Sequence, residues 1–211
     1  YFESFNYEPE KPGDTVRLWT AAQDKINLDK KVKFFKTHNA LVKIGQNDFT
    51  NRKNSLGGIY IVRDPRNALD SMSRHFQINH NRALDVMQNE KNYIYDFKKK
   101  NDYSDYQFIS SWEKNYQSWK NNKLIPVKFL KYEDLLDETF FVFKEIIEFI
   151  DKLTNNKKGF SREKAKNAVG STSFENLKKI EETNGFGESI ISREEKKKDT
   201  FFPFRTKERM A

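Results

Sequence analysis

The sequence predicts an α/β fold built around a parallel sheet, and three observations predict it. The run Gly58-Ile59-Tyr60-Ile61-Val62 is continuously apolar, the pattern of a strand covered on both faces. It leads into Asp64-Pro65, a helix start with an acidic cap and a proline in the first turn, where the missing N–H costs nothing. A second strand-like run, Ile125 to Leu130, lies between two amphipathic helical patterns. Strands alternating with helices point to a parallel sheet rather than to hairpins.

Along the chain, Pro9, Pro12 and Gly13 predict a loop, and a short polar helix follows within residues 1–30. Val32 to Lys36 predicts a short strand from its Val and Phe content. Residues 45–57 are polar and turn-rich. The helix opened by Asp64 is expected to reach about Asn79, with Ala68, Met72 and Phe76 on one face. Residues 80–105 carry an aromatic patch at Tyr93, Tyr95 and Phe97 and have no clear period. Residues 106–121 predict an amphipathic helix bearing Phe108, Trp112, Tyr116 and Trp119. A helix over Leu135–Asp151 presents Phe140, Phe143, Ile147 and Ile150 on one face. Two shorter helices are expected near 161–169 and 173–182, and the Gly-, Glu- and Lys-rich stretch 185–200 reads as mobile.

The 211 residues suffice for one domain with its own core, and no internal repeat is visible. Only 36% of residues are apolar, but 19 Phe, 9 Tyr and 3 Trp bury large areas each. Lys and Arg outnumber Asp and Glu by 39 to 31, a formal charge of +8. That surplus fits an anionic ligand (a nucleotide, a polyanion or a membrane surface) or simply a lysine-solvated surface. The absence of Cys excludes disulfides, cysteine-ligated zinc and thiol catalysis. No apolar run approaches the roughly 20 residues of a membrane span. With no signal peptide at its start, the expectation is a soluble, cytoplasmic protein.

Chemistry concentrates at Arg63-Asp64-Pro65 with Ser71. A strand end feeding a helix start is a natural anion site, because unpaired N–H groups and the helix dipole converge there. Arg63 can offer a bidentate fork to a phosphate, and Ser71, about two turns on, a hydroxyl. The alternative is an Arg in a structural salt bridge and a Ser facing solvent. His38, after Lys36 and Thr37, is a group that titrates near neutrality and can take a proton. Its alternative is a surface His, and His75 and His80 are read as structural.

These runs together resemble the sulfotransferases that use 3′-phosphoadenosine 5′-phosphosulfate (PAPS). The family carries Arg-Asp/Asn-Pro at a strand end with Ser eight residues after the Arg, matched here by Arg63 and Ser71. It also carries Lys-Thr-His upstream, Tyr-Glu-Asp at a later strand end and Thr-Ser-Phe beyond it. Lys36-Thr37-His38, Tyr132-Glu133-Asp134 and Thr172-Ser173-Phe174 stand in that order here. Ser111-Trp112 with Trp119 resembles the family's Gly-Ser-Trp helix and is read as core.

The resemblance implies a P-loop nucleotide-kinase-like three-layer α/β fold with a central parallel sheet, in one domain over residues 1–211, and it is strongest over 32–180. It implies His38 as catalytic base and Lys36 as a neutralising cation. Arg63 and Ser71 would grip the 3′-phosphate, Tyr132 and Thr172 would lie at the adenine, and Phe174 would stack on it. PAPS would be the co-substrate, adenosine 3′,5′-bisphosphate (PAP) the product, and a small molecule or glycan the acceptor. Neither metal nor nucleic acid is implied.

Two family parts find no match. No residue is assignable to the phosphosulfate loop of Pro-Lys-Ser-Gly-Thr-Thr-Trp type, which is expected to have been lost, cleaved or left out ahead of Tyr1. Where the family has Arg-Lys-Gly near its end, this chain has Pro203-Phe204-Arg205-Thr206-Lys207. Arg205 is carried as a phosphate ligand, with a charged tail as its alternative. Two other classes stay open: a nucleotide or small-molecule kinase on the same fold, and a non-catalytic basic module binding nucleic acid or sulfated polyanion.

Overall fold

A computed structural model describes residues 9–95 and 102–184. The chain divides into two compact units, Tyr1–Tyr60 with Val86–Lys128 and Ile61–Asp85 with Phe129–Ala211. The expectations for Phe97, for the stretch 185–200 and for Arg205 lie outside the described residues.

In the first unit, helix α1 (Pro12–Ile26) opens with Pro12 at its start and Asp14 in its first turn, both favourable there. It is amphipathic rather than uniformly polar. Its Val16 and Trp19 form a core with Tyr106, against which Phe49, Tyr103 and Phe108 pack. Trp19 meets Phe49 edge-on at 5.4 Å. A short antiparallel hairpin, β1 (Lys43–Ile44) and β2 (Asn47–Asp48), turns through Gly45 at φ +61°.

Val32 to Lys36 does not form the predicted strand. Val32 and Phe34 are 52% and 71% exposed, and no strand pairs with the segment among the described residues. A strand without a ladder partner gains nothing over solvated backbone, whatever its propensity.

Strand β3 (Gly58–Val62) forms as predicted. Further on, β4 (Tyr93–Ile94) pairs antiparallel with β5 (Gln107–Phe108). The helix predicted from 106 therefore begins only at Trp112, as α4 (Trp112–Lys120), with Ser111 accepting the Lys114 N–H at 3.2 Å as its cap. Strand β6 (Val127–Lys131) pairs in parallel with β3. Gly58 N–H donates to the Pro126 carbonyl at 2.9 Å. β3 is not covered on both faces, since Ile59 and Ile61 are 38% and 53% exposed. The predicted mixture of helices with a parallel strand pair is present, but the sheet is small.

In the second unit, α2 (Pro65–Phe76) stops at Gln77, which adopts a left-handed φ of 52°. A separate helix α3 (His80–Gln88) follows, and the first unit resumes within it at Val86. The single helix predicted from Leu135 is two, α5 (Tyr132–Asp137) and α6 (Thr139–Thr154), broken at Glu138. α6 packs against α5 and α7 (Arg162–Ser171), with Phe140 edge-on to Phe160 at 5.9 Å and Arg162 over the Phe140 ring. α8 (Phe174–Asn184) closes the described chain. No helix among the described residues is long and apolar enough to cross a membrane.

Candidate functional site

Within the second unit, β3 delivers Arg63 to the mouth of α2. The Arg63 guanidinium lies over the Tyr132 ring, its Cζ 4.7 Å from the centroid. Its Nε is buried and has no hydrogen-bond partner among the described residues. The structural salt bridge considered for Arg63 is not formed among those residues. A buried cationic donor without an acceptor is costly unless a ligand completes it.

The backbone at this junction is a poorer anion site than the sequence implies. Pro65 has no N–H to offer. The Arg66 N–H donates to the Asp64 carboxylate at 2.9 Å, and the Ala68 N–H to the Asp64 carbonyl. The Asp64 N–H itself donates to Glu133 Oε1 at 3.2 Å. Asp64 also receives the Arg66 side chain in a fork, at 3.1 and 2.7 Å. Hydrogen bonds from the Arg66 side chain and then its backbone hold the Asp64 carboxyl down at about 2. The helix mouth is thus filled by the chain's own carboxylates, and attraction for an external anion falls to the Arg63 side chain.

Ser71 lies half-buried on α2. Thr172 and Phe174 sit at the α7–α8 joint, on other elements than the Arg63–Tyr132 pair. Thr172 is the C-cap of α7, and its hydroxyl donates to the Ala168 carbonyl at 2.9 Å. The N-cap of α8 is Ser173, which accepts the Asn176 N–H at 3.3 Å. Phe174 is half-buried in the first turn of α8. On α2, Asp70 pairs with Arg74 and lies 3.3 Å from His80 Nε2.

Lys36 and His38 belong to the first unit and are exposed. His38 is held by its backbone. Its N–H donates to Gln107 Oε1 at 2.7 Å, and its carbonyl accepts from Asn115 Nδ2 at 3.1 Å. Thr37 Oγ1 donates to the same Gln107 oxygen at 3.3 Å and accepts the Asn39 N–H at 3.1 Å. The Asn39 carbonyl accepts from Trp119 Nε1 at 2.9 Å, and its side chain from the Phe108 N–H at 2.7 Å. A segment without secondary structure thereby has backbone groups paired by side chains in place of a ladder. Gln107, Asn115 and Asn39 were not predicted to have a role. Trp119 is core, as read, and also a donor to this loop. Sequence carries one hint for Asn115, a polar residue inside an aromatic helix face.

The chain matches the family described as Sulfotransferase domain over residues 17–206. No curated protein matches it.

Proposed function

The chain belongs to the sulfotransferase domain family, and from that premise we propose that it moves a sulfuryl group from PAPS to a hydroxyl or amine acceptor, releasing PAP. Membership implies a P-loop-like fold and sulfuryl transfer as the chemistry. PAPS as donor, and a small molecule or glycan as acceptor, are the further steps proposed.

The observation that carries the reading is Arg63, a cation at a strand end with a buried Nε left unpaired among the described residues. With Ser71 it is assigned to the 3′-phosphate, the group that separates PAPS from ordinary adenine nucleotides. Thr172 and Phe174 are assigned to the adenosine, and Arg205 to a second phosphate contact. His38 takes the acceptor's proton while the acceptor atom attacks sulfur and the bond to the 5′-phosphate oxygen breaks. Lys36 neutralises charge on the group in transit.

The test is calorimetric titration with PAP and, in parallel, with adenosine 5′-monophosphate. PAP is expected to bind more tightly, and Arg63→Ala to erase that preference. Equal affinity for the two nucleotides in the unaltered chain overturns the donor assignment. In a turnover assay, His38→Ala is expected to lower the rate by about a hundredfold or more, the usual size of a general-base contribution. An unchanged rate removes His38 as the base.

A further inference from the structure

We propose that Tyr132 is the positioning residue of Arg63, acting through its ring face on the guanidinium and not through the adenine. The inference rests on the donor reading above and deepens it. It also departs from the adenine contact that the family resemblance implies for Tyr132.

Three observations carry it. The guanidinium lies 4.7 Å from the ring centroid, within the range of a cation–π contact. No carboxylate pairs with Arg63 among the described residues, and its Nε is buried without an acceptor. Glu133, the neighbour of Tyr132, is bonded to the Asp64 N–H, so one dipeptide meets both Arg63 and the next residue.

The physical consequence is specific. An arginine side chain carries rotamer entropy that a phosphate would otherwise have to overcome. A carboxylate partner would hold the side chain but use two of its N–H donors and cancel its charge. A ring face holds it while using none of the five donors and leaving the charge whole. Tyr132 thus fixes the fork and leaves it open to an anion. Glu133 fixes the backbone beside it. The ring face turned to Arg63 is correspondingly not available to a base.

The readout is the ratio of PAP to adenosine 5′-monophosphate affinity, which a merely structural role of Tyr132 does not move. Tyr132→Phe keeps the ring and is expected to keep the ratio. Tyr132→Leu is expected to lower it about tenfold, the scale of a partly desolvated cation–π contact, with monophosphate affinity changed by less than about twofold. Pentafluorophenylalanine at 132 keeps the shape, reverses the ring quadrupole and is expected to behave like Leu. It decides the matter should the Leu variant not fold. Equal losses of both nucleotides in the Leu or pentafluoro variant, with the ratio intact, overturn the proposal and return Tyr132 to the adenine. Loss of both nucleotides in the Phe variant does the same through the hydroxyl. Absence of any 3′-phosphate preference in the unaltered chain is a different result, because it removes the donor reading itself.

Discussion

Asn115 is buried, and its amide is fully committed: Nδ2 donates to the carbonyls of His38 and Ile109, and Oδ1 accepts the Tyr60 hydroxyl at 3.0 Å. Asn115→Asp puts an oxygen where two carbonyls need a donor. The ionised form is repelled there, while the protonated form can still donate to one of them, so the folded-state pKa rises above the unfolded value of about 3.9. A raised carboxyl pKa means a deficit that is smallest below the unfolded pKa and widens as pH rises. Urea midpoints measured near pH 4 and pH 7 are expected to show this widening. An equal deficit at both would mean that the carboxyl has the same pKa folded and unfolded, and so does not face the two carbonyls. Tyr60 supplies a second titration. Burial first, and then Tyr116, push its hydroxyl up to about 12. Below about pH 10 both folded and unfolded states keep the proton. Above that only the unfolded chain releases it, so stability is lost as pH climbs toward about 12. Tyr60→Phe is expected to flatten this alkaline limb in pH-jump unfolding, at the cost of the bond to Asn115.

At the scale of elements, β3 and α4 approach through Gly58, where an added Cβ would stand 3.1 Å from Trp119 Cζ3. Trp119 is poorly placed to yield, being buried and tied by Nε1 to Asn39. Gly58→Ala is therefore expected to destabilise by about 1–3 kcal/mol, as overpacking does. On the role proposed for His38, turnover should fall further than stability alone explains, because Asn39 adjoins His38. Denaturant unfolding together with the rate checks both. What could be read from sequence divides along the same line. β3, the Asp64 cap and α2 were legible because their signals are local: an apolar run, a capping carboxylate, a proline at the first turn. Val32 to Lys36 misled because a strand depends on a partner that propensity does not supply. The break at Glu138 was hidden by an apolar face that continues across it. Among the residues proposed to act, Arg63, Ser71 and His38 were singled out by motif order. Gln107 and Asn115 were not, since they bond His38 from 69 and 77 positions away and carry no motif of their own.

For the molecule as a whole, the +8 charge and the Arg63 fork make different claims about how an anion is held. Diffuse charge acts over the Debye length, about 10 Å at 0.1 M salt and about 3 Å at 1 M, so binding that depends on it collapses across that range. Half-buried Arg63, braced on an aromatic face, is screened far less. Total PAP affinity is therefore expected to fall steeply between about 0.1 and 1 M NaCl, because every basic side chain contributes. The preference for PAP over adenosine 5′-monophosphate is expected to change by less than about threefold, because it belongs to one fixed contact. Titration of both nucleotides across that salt series separates the two. A preference that vanishes with salt along with the affinity would assign the 3′-phosphate to the general field of the lysines and favour a polyanion-binding surface. A preference that survives while the affinity drops leaves Arg63 as the group that reads the nucleotide, with the remaining charge serving to draw it in.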